Sequence, residues 1–162
     1  MTERDSELTG GRAGPVTGLA RAVTGAARAA CEGSRMSLFT EVAISGMALV
    51  RISIGAAPFV AAAPVSRMLG FPSSHDNPSA RLMSRFFGVR DIGLGVLALW
   101  GLRHPEALPF ILLFNAFMDA GDLVSTAIPL VKRQGIDRGA ATSALFALVG
   151  GLSWLIMWAI AR

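Results

Sequence analysis

Four long apolar segments constrain what this chain can fold into. They cover about residues 41–63, 82–101, 107–131 and 139–160. A helix needs roughly 20 mainly apolar residues to span a bilayer, whereas an average soluble helix has only about 11–12 residues. Only 16% of the residues are charged, against about a quarter in soluble domains. The sequence therefore predicts an all-α, four-helix transmembrane bundle with both termini on the same side. A soluble bundle with long buried helices is the less favoured alternative.

The chain divides into a polar tail, residues 1–35, and a four-helix transmembrane domain, residues 36–162. The tail is rich in Arg, Gly and Ala and lacks the apolar core of a secretory signal peptide. Arg21, Arg28 and Arg35 are spaced by seven residues, which places them on one face of a helix that would lie on the membrane surface. The scarcity of large apolar residues favours a disordered tail instead. The sequence leaves both interpretations open.

The charged residues exclude several classes of partner. The formal net charge is +4, but the basic residues are scattered and form no stripe with interleaved aromatics, so we expect lipid headgroups and no nucleic acid. The single cysteine, Cys31, forms no intrachain disulfide and no cysteine metal site. His75 and His104 have no companion ligands, so we expect neither a metal nor a cofactor. Lys132 is the only lysine among many arginines, a coding bias typical of high-GC bacteria, and we expect a multi-pass protein of the bacterial inner membrane.

A polar stripe runs along the third apolar segment. Asn115, Asp119, Asp122 and Thr126 are spaced i, i+4, i+7 and i+11, which places them on one helix face. Carboxylates in hydrocarbon are energetically costly, so they normally face the bundle interior, pair with other groups and mark function. The stripe therefore predicts a buried ionic cluster near the middle of the bilayer.

The other central charges lie at a similar depth. Arg51 is near the middle of the first segment, and Arg90 and Asp91 are near the middle of the second. Consecutive helical residues point about 100° apart, so Arg90 and Asp91 cannot both face one neighbour. The cluster then contains two positive and three negative groups. Unless Arg85 or a bound cation joins it, we expect one carboxyl to hold a proton, because like charges at low dielectric disfavour a second ionisation.

These residues support one preferred function and two alternatives. The preferred interpretation is a polar pocket between helices one, two and three that binds a small, partly apolar ligand. Asp119 and Asp122 are the candidate catalytic acid and base, and five residues are candidates for binding the ligand or pairing charge: Arg51, Arg90, Asp91, Asn115 and Arg85. The first alternative is an accessory or assembly subunit that docks a partner membrane subunit and whose buried charges only hold helices together. The second is a proton- or ion-coupled transporter, which at four helices would need to form a homo-oligomer.

The segment Phe86–Gly95, with the sequence Phe-Phe-Gly-Val-Arg-Asp-Ile-Gly-Leu-Gly, resembles a signature on the second helix of small bacterial four-helix membrane proteins. These are DoxX-like families and related domains of unknown function. Asp119-Ala-Gly-Asp122 is similar to the acidic third-helix motif of the same group, and the likeness covers about residues 40–160. The resemblance implies importance for Arg90, Asp91, Asp119 and Asp122. DoxX proteins are linked to redox chemistry, but nothing in this sequence matches a redox centre. The resemblance therefore implies no reaction.

Overall fold

The computed structural model describes residues 37–162, and they form four α-helices. The helices are α1 (Leu38–Met68), α2 (Pro78–Gly101), α3 (Leu108–Val131) and α4 (Asp137–Ile160), with one 3-10 turn at Ser73–His75. The prediction of an all-α, four-helix bundle is confirmed. Successive helices reverse direction, so Ser37 and Arg162 lie at the same end. The predicted tail, residues 1–35, is outside the described residues.

Three of the four helices, α1, α3 and α4, are long and apolar enough to cross a membrane. The helix α2 is as long as α3 and α4 but carries Arg85, Arg90 and Asp91. On membrane-insertion scales, each charged residue at the centre of a helix, such as Arg90 or Asp91, costs about +2.5 to +3.5 kcal/mol. The helix α2 therefore depends on partners from other helices to be stable in a bilayer.

The first helix departs from its sequence prediction at both ends. Thr40, followed by the acidic Glu41, has the sequence pattern of an N-cap, but the helix begins earlier, and the side chain of Ser37 accepts a hydrogen bond from the Thr40 N–H at 3.2 Å. A proline directly after the first apolar segment predicts a helix end at Pro64, whereas the helix continues to Met68 across a break at Ala61 (φ −149°, ψ 56°). After that break Pro64 lies in the first turn of a new segment, where a missing N–H costs nothing.

The helices pack as two hairpins, α1 with α2 and α3 with α4. In the first hairpin the backbones touch at Gly55 and Gly88, where a Cβ on Gly55 would lie 2.5 Å from the Gly88 carbonyl oxygen. In the second, Ala140 and Ala147 are buried, and Gly151 faces Asp119. Small residues at these positions let the helices approach closely. The short connection between α2 and α3 predicts that these two helices are close neighbours, but each packs mainly within its own hairpin.

The buried core is concentrated at one end of the bundle. We call this end the terminal half (residues 38–50, 92–101, 108–118 and 151–160) and the other end the loop half (56–68, 78–87, 123–131 and 137–147). The large buried side chains all belong to the terminal half: Ile44, Leu94, Leu108, Ile111, Leu112, Trp154 and Met157. In the loop half the buried residues are Gly139, Ala140 and Ala147. Large side chains therefore fill the interior of the terminal half only.

The α1–α2 connection reaches across to the second hairpin. Gly70 adopts a positive φ of 96° and the N–H of Phe71 bonds to the Ser66 carbonyl at 3.0 Å, a glycine-dependent helix ending. This turn directs the Phe71 ring onto Gly139, where a Cβ would lie 2.7 Å from the ring. The loop is thereby held against the first turn of α4.

Candidate functional site

Arg51 and Asp119 form the most buried ion pair of the bundle. The guanidinium of Arg51 on α1 donates to both carboxylate oxygens of Asp119 on α3, from Nη2 to Oδ1 at 2.6 Å and from Nη1 to Oδ2 at 3.1 Å. Two parallel hydrogen bonds fix the planar groups relative to each other as well as neutralising them. The pair joins the two hairpins at mid-depth.

A second two-point pair links α2 to α3. Arg90 donates to Asp122 from Nη1 to Oδ1 at 2.7 Å and from Nη2 to Oδ2 at 2.6 Å. Asp119 and Asp122 are almost one helical turn apart, so the two arginines approach the same face of α3 from different helices. Arg90 and Asp91 face different neighbours, as their adjacent positions predicted.

Asp91 connects the two pairs. Its Oδ1 accepts from Arg51 Nη2 at 3.4 Å and from Arg90 Nη2 at 3.2 Å. The result is a continuous chain that we call the ion network, in the order Asp119, Arg51, Asp91, Arg90, Asp122. It contains three carboxylates and two guanidiniums, as the sequence predicted, so one negative charge lacks a positive partner within the network.

Exposure increases from one end of the ion network to the other. The side chain of Asp119 is 7% exposed and that of Arg51 is 11%, whereas Arg90 and Asp122 are 25% and 26% exposed. The Asp119 end adjoins the filled terminal half, and the Asp122 end adjoins the loop half. The ion network therefore has a sealed end and a reachable end.

Two residues outside the set of candidate site residues contact the ends of the network. A Cβ on Gly150 of α4 would lie 2.9 Å from Asp119 Oδ2, so α4 closes directly over that carboxylate. The Phe87 ring lies beside the Arg90 guanidinium, 5.1 Å from centroid to Cζ, a cation–π distance. The adjacent glycines Gly150 and Gly151 near the middle of α4 could have indicated the first contact. The spacing of Phe87 and Arg90, three residues apart on one helix, was a signal for the second.

The remaining candidate residues are placed differently. Asn115 is fully buried, and its Nδ2 donates to the Ile111 carbonyl of its own helix at 3.0 Å. Thr126 is half-buried on the Asp122 side and donates to the Asp122 carbonyl at 2.9 Å. Arg85 is exposed and forms no ion pair with any other residue between 37 and 162. It does not supply the missing positive charge within this part of the chain.

Three buried polar atoms lack a partner in the described part of the chain: Arg51 Nε, Arg90 Nε and Asn115 Oδ1. Two are donors and one is an acceptor. Across residues 37–162 no group of three or more His, Cys, Asp or Glu side chains is arranged to hold a metal ion.

The fold and the ion network define a helical protein with membrane-type helices and buried charges that join two hairpins. Residues 48–160 match the family model described as a domain of unknown function, DUF4267. The chain belongs to this family. The match agrees with the part of the resemblance that concerned such uncharacterised domains, and it contains nothing specific to DoxX. No curated protein and no solved structure matches the chain.

Proposed function

We propose that this protein is an integral membrane protein, resident in a bacterial inner membrane, that binds a small, partly apolar ligand at the ion network. Asp119 or Asp122 would exchange a proton with the ligand. The observation that carries the proposal is the combination of an uncompensated carboxylate with a network that is reachable at one end only. A buried carboxylate in excess of its cationic partners needs a proton or a ligand to balance it.

The alternative in which the charges only dock helices explains less of this arrangement. Charge pairs that serve docking alone would be most stable when balanced, because an unpaired buried charge is costly. The network instead holds three acids to two bases. A docking role also gives no reason for the rising exposure towards Arg90 and Asp122.

Two charge-neutralising variants test the proposal. Asp119→Asn and Asp122→Asn each leave two carboxylates to two guanidiniums, and asparagine is nearly the same shape as aspartate. We expect both variants to remain folded, measured by thermal unfolding in detergent, and to fail to complement a deletion strain. Asp76→Asn, in the α1–α2 loop outside the network, is the matched control and should complement. Full complementation by a folded Asp119→Asn variant would show that this carboxylate serves structure only.

The oligomeric state separates binding from transport. A mass measurement in detergent should give a monomer or a loose dimer if each bundle binds its own ligand. A stable symmetric oligomer would favour the ion-coupled transporter, because four helices alone provide few faces for a sealed pathway. A protein that is stable only when it is produced together with a second membrane subunit would favour the assembly role.

A further inference from the structure

We infer that the ion network is the floor of a cleft that opens towards the loop half only, and that this cleft takes an amphiphile whose head group donates a hydrogen bond, an alcohol or an ammonium. The inference rests on the proposed ligand-binding function and specifies the access route and the ligand class. Three independent observations support it.

The first observation is the distribution of buried side chains. In the terminal half, Ile44, Leu94, Leu112 and Trp154 are each at most 5% exposed. On the loop side of the network the buried residues are a glycine and two alanines, and the side chain that the structure places on that glycine, Gly139, is the ring of Phe71 from the α1–α2 loop. Interiors are close-packed wherever side chains can fill them. A half-bundle without any large buried side chain therefore leaves room between its helices.

The second observation is the lining of that space. Phe87 is 54% exposed although its ring lies beside Arg90, and Met83, one turn towards the loops, is similarly exposed. Thr126 continues the Asp122 face of α3 in the same direction. Exposed apolar side chains therefore follow Arg90 towards the loops, and together with an ionic floor they suit a head group with an apolar chain.

The third observation concerns hydrogen bonding at the floor. Each terminal nitrogen of Arg51 and Arg90 already donates to a carboxylate. The Oδ2 atom of Asp91, in contrast, accepts no hydrogen bond from any other described residue, because both arginines bond to Oδ1. The Nε donors of Arg51 and Arg90 also lack partners, but both atoms are buried, so an anionic head group would have to break existing ion pairs in a network that is already negative. A hydroxyl or ammonium group would add a donor where an acceptor is free.

Cysteine accessibility tests the direction of the opening. In a Cys31→Ser background reconstituted into vesicles, Thr126→Cys should react with a membrane-impermeant cationic thiosulfonate applied from the loop side. Ser125→Cys is the matched control, since Ser125 is an exposed neighbour whose hydroxyl bonds to Gly121 of its own helix at 2.8 Å. Its thiol would face lipid and stay protonated, so we expect Thr126→Cys to react at least about tenfold faster. Leu112→Cys, in the terminal half, should not react from either side.

Amphiphile protection tests the ligand class. Octylamine and octanol should slow the labelling of Thr126→Cys, and octanoate at the same concentration should not. Ser73→Cys, in the exposed loop, controls for effects on the membrane or the reagent and should be insensitive to all three. Adding Asp91→Asn should remove the protection by octylamine.

The outcomes are distinct from those of the complementation test. Equal labelling at positions 125 and 126, or labelling of Leu112→Cys from the terminal side, would overturn the one-sided cleft. Equal protection by octanoate, or no protection by any of the three probes, would overturn the ligand class. Because these measurements use purified protein, they stand or fall independently of the phenotype of Asp119→Asn.

Discussion

Gly150 of α4 lies so close to Asp119 of α3 that a methyl group there would sit 2.9 Å from the carboxylate oxygen Oδ2. The same carboxylate is held from the opposite side by Arg51. Asp119 is therefore confined between a charged partner and a helix backbone, and its position depends on a residue that carries no side chain.

We expect Gly150→Ala to lower the free energy of unfolding by about 1–3 kcal/mol, because the added methyl pushes Asp119 away from Arg51. Gly121→Ala is the control, since a Cβ there meets nothing within 4 Å. It should be neutral or stabilising by up to about 1 kcal/mol, because alanine is the better helix former. Unfolding in detergent measures both, and equal effects would contradict the close approach.

The small-residue face of α4 gives a second prediction. Ala147 is 9% exposed and faces the interior, so Ala147→Leu should force α3 and α4 apart and lower the melting temperature. Ala141→Leu, on the exposed side of the same helix, adds the same volume without a neighbour to displace. Leucine tolerated equally at both positions would mean that α4 does not pack through this face.

The Arg90–Asp122 pair predicts a specific double-mutant result. Arg90→Met alone leaves Asp122 without its two donors, and such losses at buried pairs typically cost about 3–5 kcal/mol. This pair is partly exposed, so we expect the lower end of that range. Arg90→Met combined with Asp122→Asn should recover most of the stability but not the activity. Recovery of both stability and activity would assign the pair to docking alone.

The loop between the first two helices gives a prediction about pH. The guanidinium of Arg81 donates to both oxygens of Asp76, at 2.7 and 2.9 Å, and this hydrogen bonding lowers the pKa of the Asp76 carboxyl. A depressed folded-state pKa stabilises the fold above the ordinary carboxyl pKa, and the contribution is lost as pH falls through the depressed value. Carboxyl NMR titration should show the low midpoint for Asp76, and Arg81→Met should return it towards normal. An unchanged midpoint in that variant would contradict the pair.

Much of this fold was predictable from the sequence, because long apolar segments mark the helices and the charged residues within them mark the middle of the bundle. The positions of the four helices and the shared face of Asn115, Asp119 and Asp122 follow from residue spacing alone. The spacing also predicted that Arg90 and Asp91 serve different neighbours. These features depend only on helix geometry, which is local.

The features that the sequence did not predict depend on tertiary contacts. Nothing local indicates that Asp91 bridges both arginines, or that Arg85 stays outside the network. Pro64 was misread because a proline that ends one helix and a proline that begins another look alike until the break at Ala61 is known. The uneven filling of the two halves depends on how the hairpins pack against each other, and no single segment encodes that.

The distribution of the network charges between the two hairpins has a consequence for biogenesis. The first hairpin contributes Arg51, Arg90 and Asp91, an excess of one positive charge, and the second contributes Asp119 and Asp122, both negative. During synthesis the first half leaves the ribosome with an arginine that it cannot neutralise by itself. We therefore expect α1 and α2 to wait near the translocon until α3 is made, so that opposite charge selects the partner half and sets the order of assembly.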